Sequence, residues 1–137
     1  MKTPFAVRLA ALTTTLTAAL TTTPACGGGG SGLEGTWRGT AQGMSVEVKV
    51  DRDYGTAFGG TVSLGNARCF NNGPLSGVVA ETSVQLASSG FGSASDHTVL
   101  QVNAERSGET LTGTLSMVGE TPECNVDKAP LTLTRAR

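Results

Sequence analysis

Few side chains in this chain can do covalent or metal chemistry. The cysteines are Cys26, Cys69 and Cys124, and His97 is the single histidine. Asp96 precedes His97, and Ser93 and Ser95 lie just upstream, so the residue types of an acyl-transfer triad sit together. Such a triad works only when nucleophile, base and orienting acid are held in fixed geometry. Gly90-Phe91-Gly92-Ser93-Ala94 lacks the strand, sharp turn and helix that expose a nucleophile. One histidine and two cysteines better suited to each other do not make the three or four ligands of a zinc site. Asp51, Asp53 and Gly55 echo the start of a calcium loop, but its twelfth position falls on Val62 rather than a bidentate glutamate. Glycoside hydrolysis needs two carboxylates flanking a cleft, and Glu105 and Glu109 flank only the short Ser107-Gly108 turn. The residues therefore imply no enzyme, no metal and no cofactor.

The cysteines have a different logic. Lys2 and Arg8 are the only charges before Cys26, and Leu9 to Leu20 is a short run of Ala, Leu and Thr. A basic start, a short apolar segment and small residues before a cut describe a secretory signal peptide over residues 1–25. The run is shorter than the ~20 apolar residues a permanent membrane helix requires. An exported chain with three cysteines leaves one over. Cys26, at the end of the leader, is the odd one. Cys69 and Cys124 are then free to form a disulfide in an oxidising compartment, with two unpaired thiols as the alternative. Gly27 to Gly30, Ser31 and Gly32 complete a flexible segment over residues 26–32. No strand before, helix after or terminal lysine turns those glycines into a phosphate loop.

Residues 1–30 resemble a bacterial lipoprotein leader, on the stretch Thr23-Pro24-Ala25-Cys26 with the glycine run behind it. The resemblance implies cleavage before Cys26, lipidation of its thiol and attachment to a membrane of the cell envelope. Gly27 is not the aspartate that retains such proteins at the inner membrane of many Gram-negative bacteria, so the family pattern favours the outer membrane, facing the periplasm or the exterior. Residues 26–137 keep all eleven acidic residues and lose two of the ten basic ones, a net charge of −3. That balance excludes a basic stripe for nucleic acid and a polybasic patch for acidic lipid.

The elements that must position these residues are strands. Met44, Val46, Val48 and Val50 alternate with Ser45, Glu47, Lys49 and Asp51, the period of a half-buried strand. Similar alternation marks Leu33 to Trp37, Phe58 to Leu64, Leu75 to Val79, Val84 to Leu86, Thr98 to Ala104, Leu111 to Met117 and Leu131 to Leu133. Turn residues separate them at Gln42-Gly43, Asp51 to Gly55, Asn72-Gly73 before Pro74, Ser88 to Asp96, Ser107 to Glu109 and Gly119 to Pro130. About seven or eight short strands on sequential hairpins predict an all-β domain over residues 33–137. An antiparallel up-and-down β-barrel is expected, with a two-sheet β-sandwich as the alternative.

In a closed meander the first and last strands touch. Trp37, the only tryptophan, and Arg135, which continues the Leu131 and Leu133 face, then both point inward, and the guanidinium can stack on the indole. With Gly35-Thr36-Trp37 at the start and Leu133-Thr134-Arg135 at the end, the domain resembles the lipocalin-like, or calycin, group of small barrels. That resemblance implies a small apolar ligand inside the barrel. The competing expectation is a structural or inhibitory module that meets an envelope protein through loops 66–74 and 88–97, where Phe70 and Phe91 are either contact residues or lids. In both cases the module is expected to be non-catalytic and monomeric.

Overall fold

The computed structural model describes residues 29–66, 68–91 and 97–137, and the leader and Cys26 lie outside them. The alternating segments form eight strands: β1 (Gly35–Ala41), β2 (Met44–Asp53), β3 (Ala57–Leu64), β4 (Asn72–Ala80), β5 (Ser83–Phe91), β6 (His97–Ser107), β7 (Thr110–Val118) and β8 (Val126–Arg135). Each pairs antiparallel with the next, and β8 pairs with β1, which closes the sheet into an up-and-down barrel and excludes the sandwich. At the closing seam Trp37 faces Arg135 and Gly39 faces Leu133.

Strand parity decides what fills the interior. In β6, Thr98, Leu100, Val102 and Ala104 are buried and the residues between them exposed. The inward positions of all strands merge into one apolar core that includes Trp37, Val48, Val62, Leu86, Leu100, Leu115 and Leu133. Its large central side chains, Trp37, Val62, Phe70, Leu100, Leu115 and Leu133, have no accessible surface. Side chains lining a water-sized void would retain accessible surface on that wall, so the interior is filled rather than hollow. Eight-stranded barrels are narrow enough for side chains alone to occupy them.

Inward glycines, Gly39, Gly60, Gly77 and Gly113 among them, allow this tight closure. A Cβ on Gly113 would lie 1.9 Å from the Asn103 carbonyl oxygen, so β6 and β7 approach here only because glycine has none. A Cβ on Gly77 would lie 2.2 Å from Phe58 Cζ, and the Phe58 ring fills the space the glycine leaves.

The turns differ from expectation in four places. Gln42 and Gly43, with φ of 48° and 76°, make the expected two-residue hairpin. Asn72-Gly73 is not a turn but the start of β4, where Asn72 pairs with Ser63 and Pro74 with Thr61. The reversal lies upstream, closed by Leu64 N–H to Asn71 O and Phe70 N–H to Asn66 O, both 3.0 Å. Burial of Cys69 and Phe70 draws that segment over the barrel mouth, which a tight turn at Asn72 would forbid. Ser88 to Phe91 belongs to β5, because pairing with β6 runs on to Phe91 opposite His97. Asp51 to Asp53 ends β2 through a register shift between Val50 and Arg52. Val126 to Pro130 belongs to β8, and its irregular sequence reflects a register shift opposite Leu115 and Met117 together with Lys128 at φ 47°.

Gly113→Ala is expected to destabilise the barrel by about 1–3 kcal/mol or more, because the added methyl meets backbone that cannot rotate away. Urea unfolding should show a lower midpoint at an unchanged slope.

Candidate functional site at the two ends of the barrel

Antiparallel order puts the start of β1, the turns after β2, β4 and β6, and the end of β8 at one end of the barrel. There the Arg135 guanidinium carbon sits 4.6 Å from the centre of the Trp37 indole. Its Nη1 donates to Glu34 O at 2.6 Å, its Nη2 donates to Gly32 O, and its Nε pairs with Glu109 at 2.6 Å. A second guanidinium, Arg106, lies 5.9 Å from the same ring centre and donates to Ser31 O at 2.6 Å. The indole N–H donates to Leu33 O at 2.8 Å. The indole is thus fully buried with its one polar atom satisfied. Each cation–π contact is worth roughly 0.5–2 kcal/mol.

Asp53 completes the clasp. Its carboxylate accepts from Ser31 N–H at 2.7 Å, Ser31 Oγ at 2.9 Å, Leu33 N–H at 3.2 Å and Gly55 N–H at 3.0 Å. Partial burial works against its ionisation, but the hydrogen bonds from Ser31, Gly55 and Leu33 outweigh it and lower the pKa from 3.8 to about 2. Ser31 and Gly32, expected in the flexible segment, are therefore fastened to the barrel. Residues 31–34 lie across its end as a strap, with Leu33 buried beneath.

The opposite end is closed covalently. Cys69 and Cys124 form a disulfide with their Cα atoms 5.3 Å apart, joining the β3–β4 loop to the short 3-10 turn Pro122–Cys124 between β7 and β8. Closing a loop of 55 residues contributes about 4 kcal/mol in the chain-entropy view. Arg68 and Glu123 pair at 2.6 Å across the same junction. Phe70, expected to be either a loop contact or a lid, is fully buried and acts as the plug of this end. Its ring packs against the backbone of Gly73 and Gly90, which leaves it no surface for a partner. Phe91 pairs with His97 through the backbone, and its side chain lies outside the described residues. Thr98 is the one buried hydroxyl without a partner among the described residues, beside Gly119 at this end.

Among the described residues the remaining candidates lie apart. His97 starts β6 with an exposed side chain, and Ser93, Ser95 and Asp96 lie outside the described residues. Among the described residues no three of His, Cys, Asp and Glu gather as a metal site. Asp51 faces outward while Asp53 holds the strap, because the register shift between Val50 and Arg52 puts the two carboxylates on opposite faces of β2, so they do not share a site. Glu105 accepts from Thr82 Oγ1 at 2.7 Å and Glu109 pairs with Arg135, so they do not face each other across a cleft. One surface hollow lies on the outer wall of β4 to β6, between Ser76, Val78, Gln85, Ala87 and Asn103.

Sequence reasoning missed Arg106 and Asp53. Arg106 follows Leu100, Val102 and Ala104 on the inward parity of β6, the same signal that singles out Arg135 on β8. Asp53 carries no such mark, because its partners are backbone groups of a segment expected to be loose.

These features define a closed eight-stranded antiparallel barrel, consistent with calycin- and lipocalin-type barrels generally. No protein-family model matches the chain, and no curated protein or solved structure matches it either.

Arg135→Ala should cost about 2–3 kcal/mol, since it removes the stacked cation and leaves the Gly32 and Glu34 carbonyls without their donor. Asp53 is an acid whose folded pKa is depressed, so its stabilisation is present above about pH 3.8 and is lost as pH falls through about 2. An acid-unfolding series of Asp53→Asn should accordingly lose that slope, and at pH 7 the variant should be less stable by on the order of 1 kcal/mol, allowing for solvent screening.

Proposed function

We propose that this protein is a non-catalytic envelope lipoprotein that meets another protein with the exposed surface of its barrel. The observation that carries the reading is the filled interior, in which the large side chains Trp37, Val62, Phe70, Leu100, Leu115 and Leu133 have no accessible surface. A ligand pocket normally offers a preformed apolar concavity of ~300 Å³ or more. A closed eight-stranded barrel is an architecture able to enclose a small molecule, but here a ligand would have to displace the packed core. The outer rim of the disulfide end supports protein recognition. The junction there is held by a covalent bond and an ion pair, so its exposed residues are presented with little conformational freedom to lose on binding. Export to an oxidising compartment is supported by the Cys69–Cys124 disulfide, and the anchor by the leader-like residues before Cys26.

The experiment is a titration of the purified protein with anilinonaphthalene sulfonate, beside Leu115→Ala, which opens a void in the core. Saturable enhancement of the probe is expected only with the variant. Saturable, stoichiometric binding to the unsubstituted protein would return the function to a small apolar ligand inside the barrel. Turnover of any substrate that disappears in His97→Ala would overturn the non-catalytic reading.

A further inference from the structure

We infer that the strap end of the barrel, with the Tyr54 turn at its rim, rests on the lipid surface to which Cys26 is attached, and that the disulfide end points away from it. This builds on the proposed lipid attachment and adds an orientation and a second contact.

The argument begins where the chain leaves the barrel. Asp53 and Arg106 fix Ser31 at the end of β2, so the point of departure is set by the fold. The chain there passes the β2–β3 turn, since a Cβ on Gly55 would lie 3.3 Å from the Gly29 carbonyl oxygen. Five peptide steps separate Cys26 from Ser31. Covalent geometry limits them to ~18 Å. The longest strand, β6, has 11 residues. At ~3.3 Å per residue and a tilt of roughly 40°, it spans ~28 Å along the barrel axis. The linker is therefore too short for the barrel to invert and set its disulfide end on the lipid.

The rim at the strap end carries the side chain suited to such a surface. Tyr54, 72% exposed in the β2–β3 turn, is the most exposed large apolar residue among the described residues and adjoins Gly55, which the departing chain passes at Gly29. Tyrosine concentrates at the headgroup level, where its ring is buried and its hydroxyl stays wet. The barrel itself stays outside the bilayer, because outward residues such as Glu47, Lys49 and Gln101 provide no apolar band. Arg52 pairs with Asp51 at 3.2 Å, but Glu34, Glu81 and Glu105 leave the same rim with an acidic excess, which directs the contact to zwitterionic rather than anionic headgroups.

The test uses full-length protein isolated from membranes, its Cys26 mass determined, and reconstituted in phosphatidylcholine vesicles with or without brominated acyl chains. Tryptophan is placed at the strap end by Tyr54→Trp and at the far end by Val118→Trp, a residue 65% exposed. Relative to the unsubstituted protein, Tyr54→Trp should lose emission in the brominated vesicles and Val118→Trp should not. With acyl chains present on Cys26, quenching of Val118→Trp, of both variants equally, or of neither overturns the orientation and leaves the lipid attachment standing. An unacylated Cys26 overturns the attachment and the orientation together.

Discussion

The pairing of β1 with β8 is the contact on which the rest of the structure depends. A meander of eight strands has two exposed edges until its first and last strands meet, and only closure removes them. The seam has four paired positions, one of them Trp37 opposite Arg135. That single register position puts a cation on the face of the buried indole and aims its other donors at the strap. Backbone closure, aromatic stacking and the covering of one barrel end are therefore one event. A slip of one residue would turn Arg135 outward and Thr134 inward, which loses the stacking and the Arg135 hold on the strap together.

The two ends solve the same problem by different chemistry. A small barrel must seal both openings of its apolar interior. At one end three charged side chains, Asp53, Arg106 and Arg135, gather the backbone of residues 31–34 and use its N–H and carbonyl groups as partners. At the other, a disulfide draws two loops together over Phe70. The first seal depends on ionisation and the second on oxidation, so acid and reductant would loosen opposite ends of the same molecule.

How much of this was legible follows from the range of each interaction. Period-two alternation marks every strand, because each inward residue meets the same apolar interior. Short connections favour the closed barrel without excluding a sandwich, and parity turns Trp37 and Arg135 inward, while their register is set by the pairing of β1 with β8. Arg106 was equally legible by parity and went unread because it stands beside a turn. The loops were misread for a physical reason. Asn72-Gly73 has the composition of a hairpin turn, but Cys69 must reach Cys124, and that distant partner moves the reversal upstream. The part played by Asp53 was not legible, since it recognises backbone atoms that any residue type would provide.

The clasp also sets an order of events in the life of the chain. Arg135 binds the carbonyl of Glu34 across a separation of 101 residues, and the seam joins strands almost as far apart. Hairpins form locally, and Asp53 and Arg106 can hold part of the strap earlier, but neither the indole nor its strap has its full set of partners until β8 is present. Contacts of this separation make folding slow, because the entropy of closing the loop precedes any return. A chain threaded strand by strand through a narrow translocation channel would consequently cross it without a finished barrel to obstruct the passage. Completion of the barrel falls to the last strand.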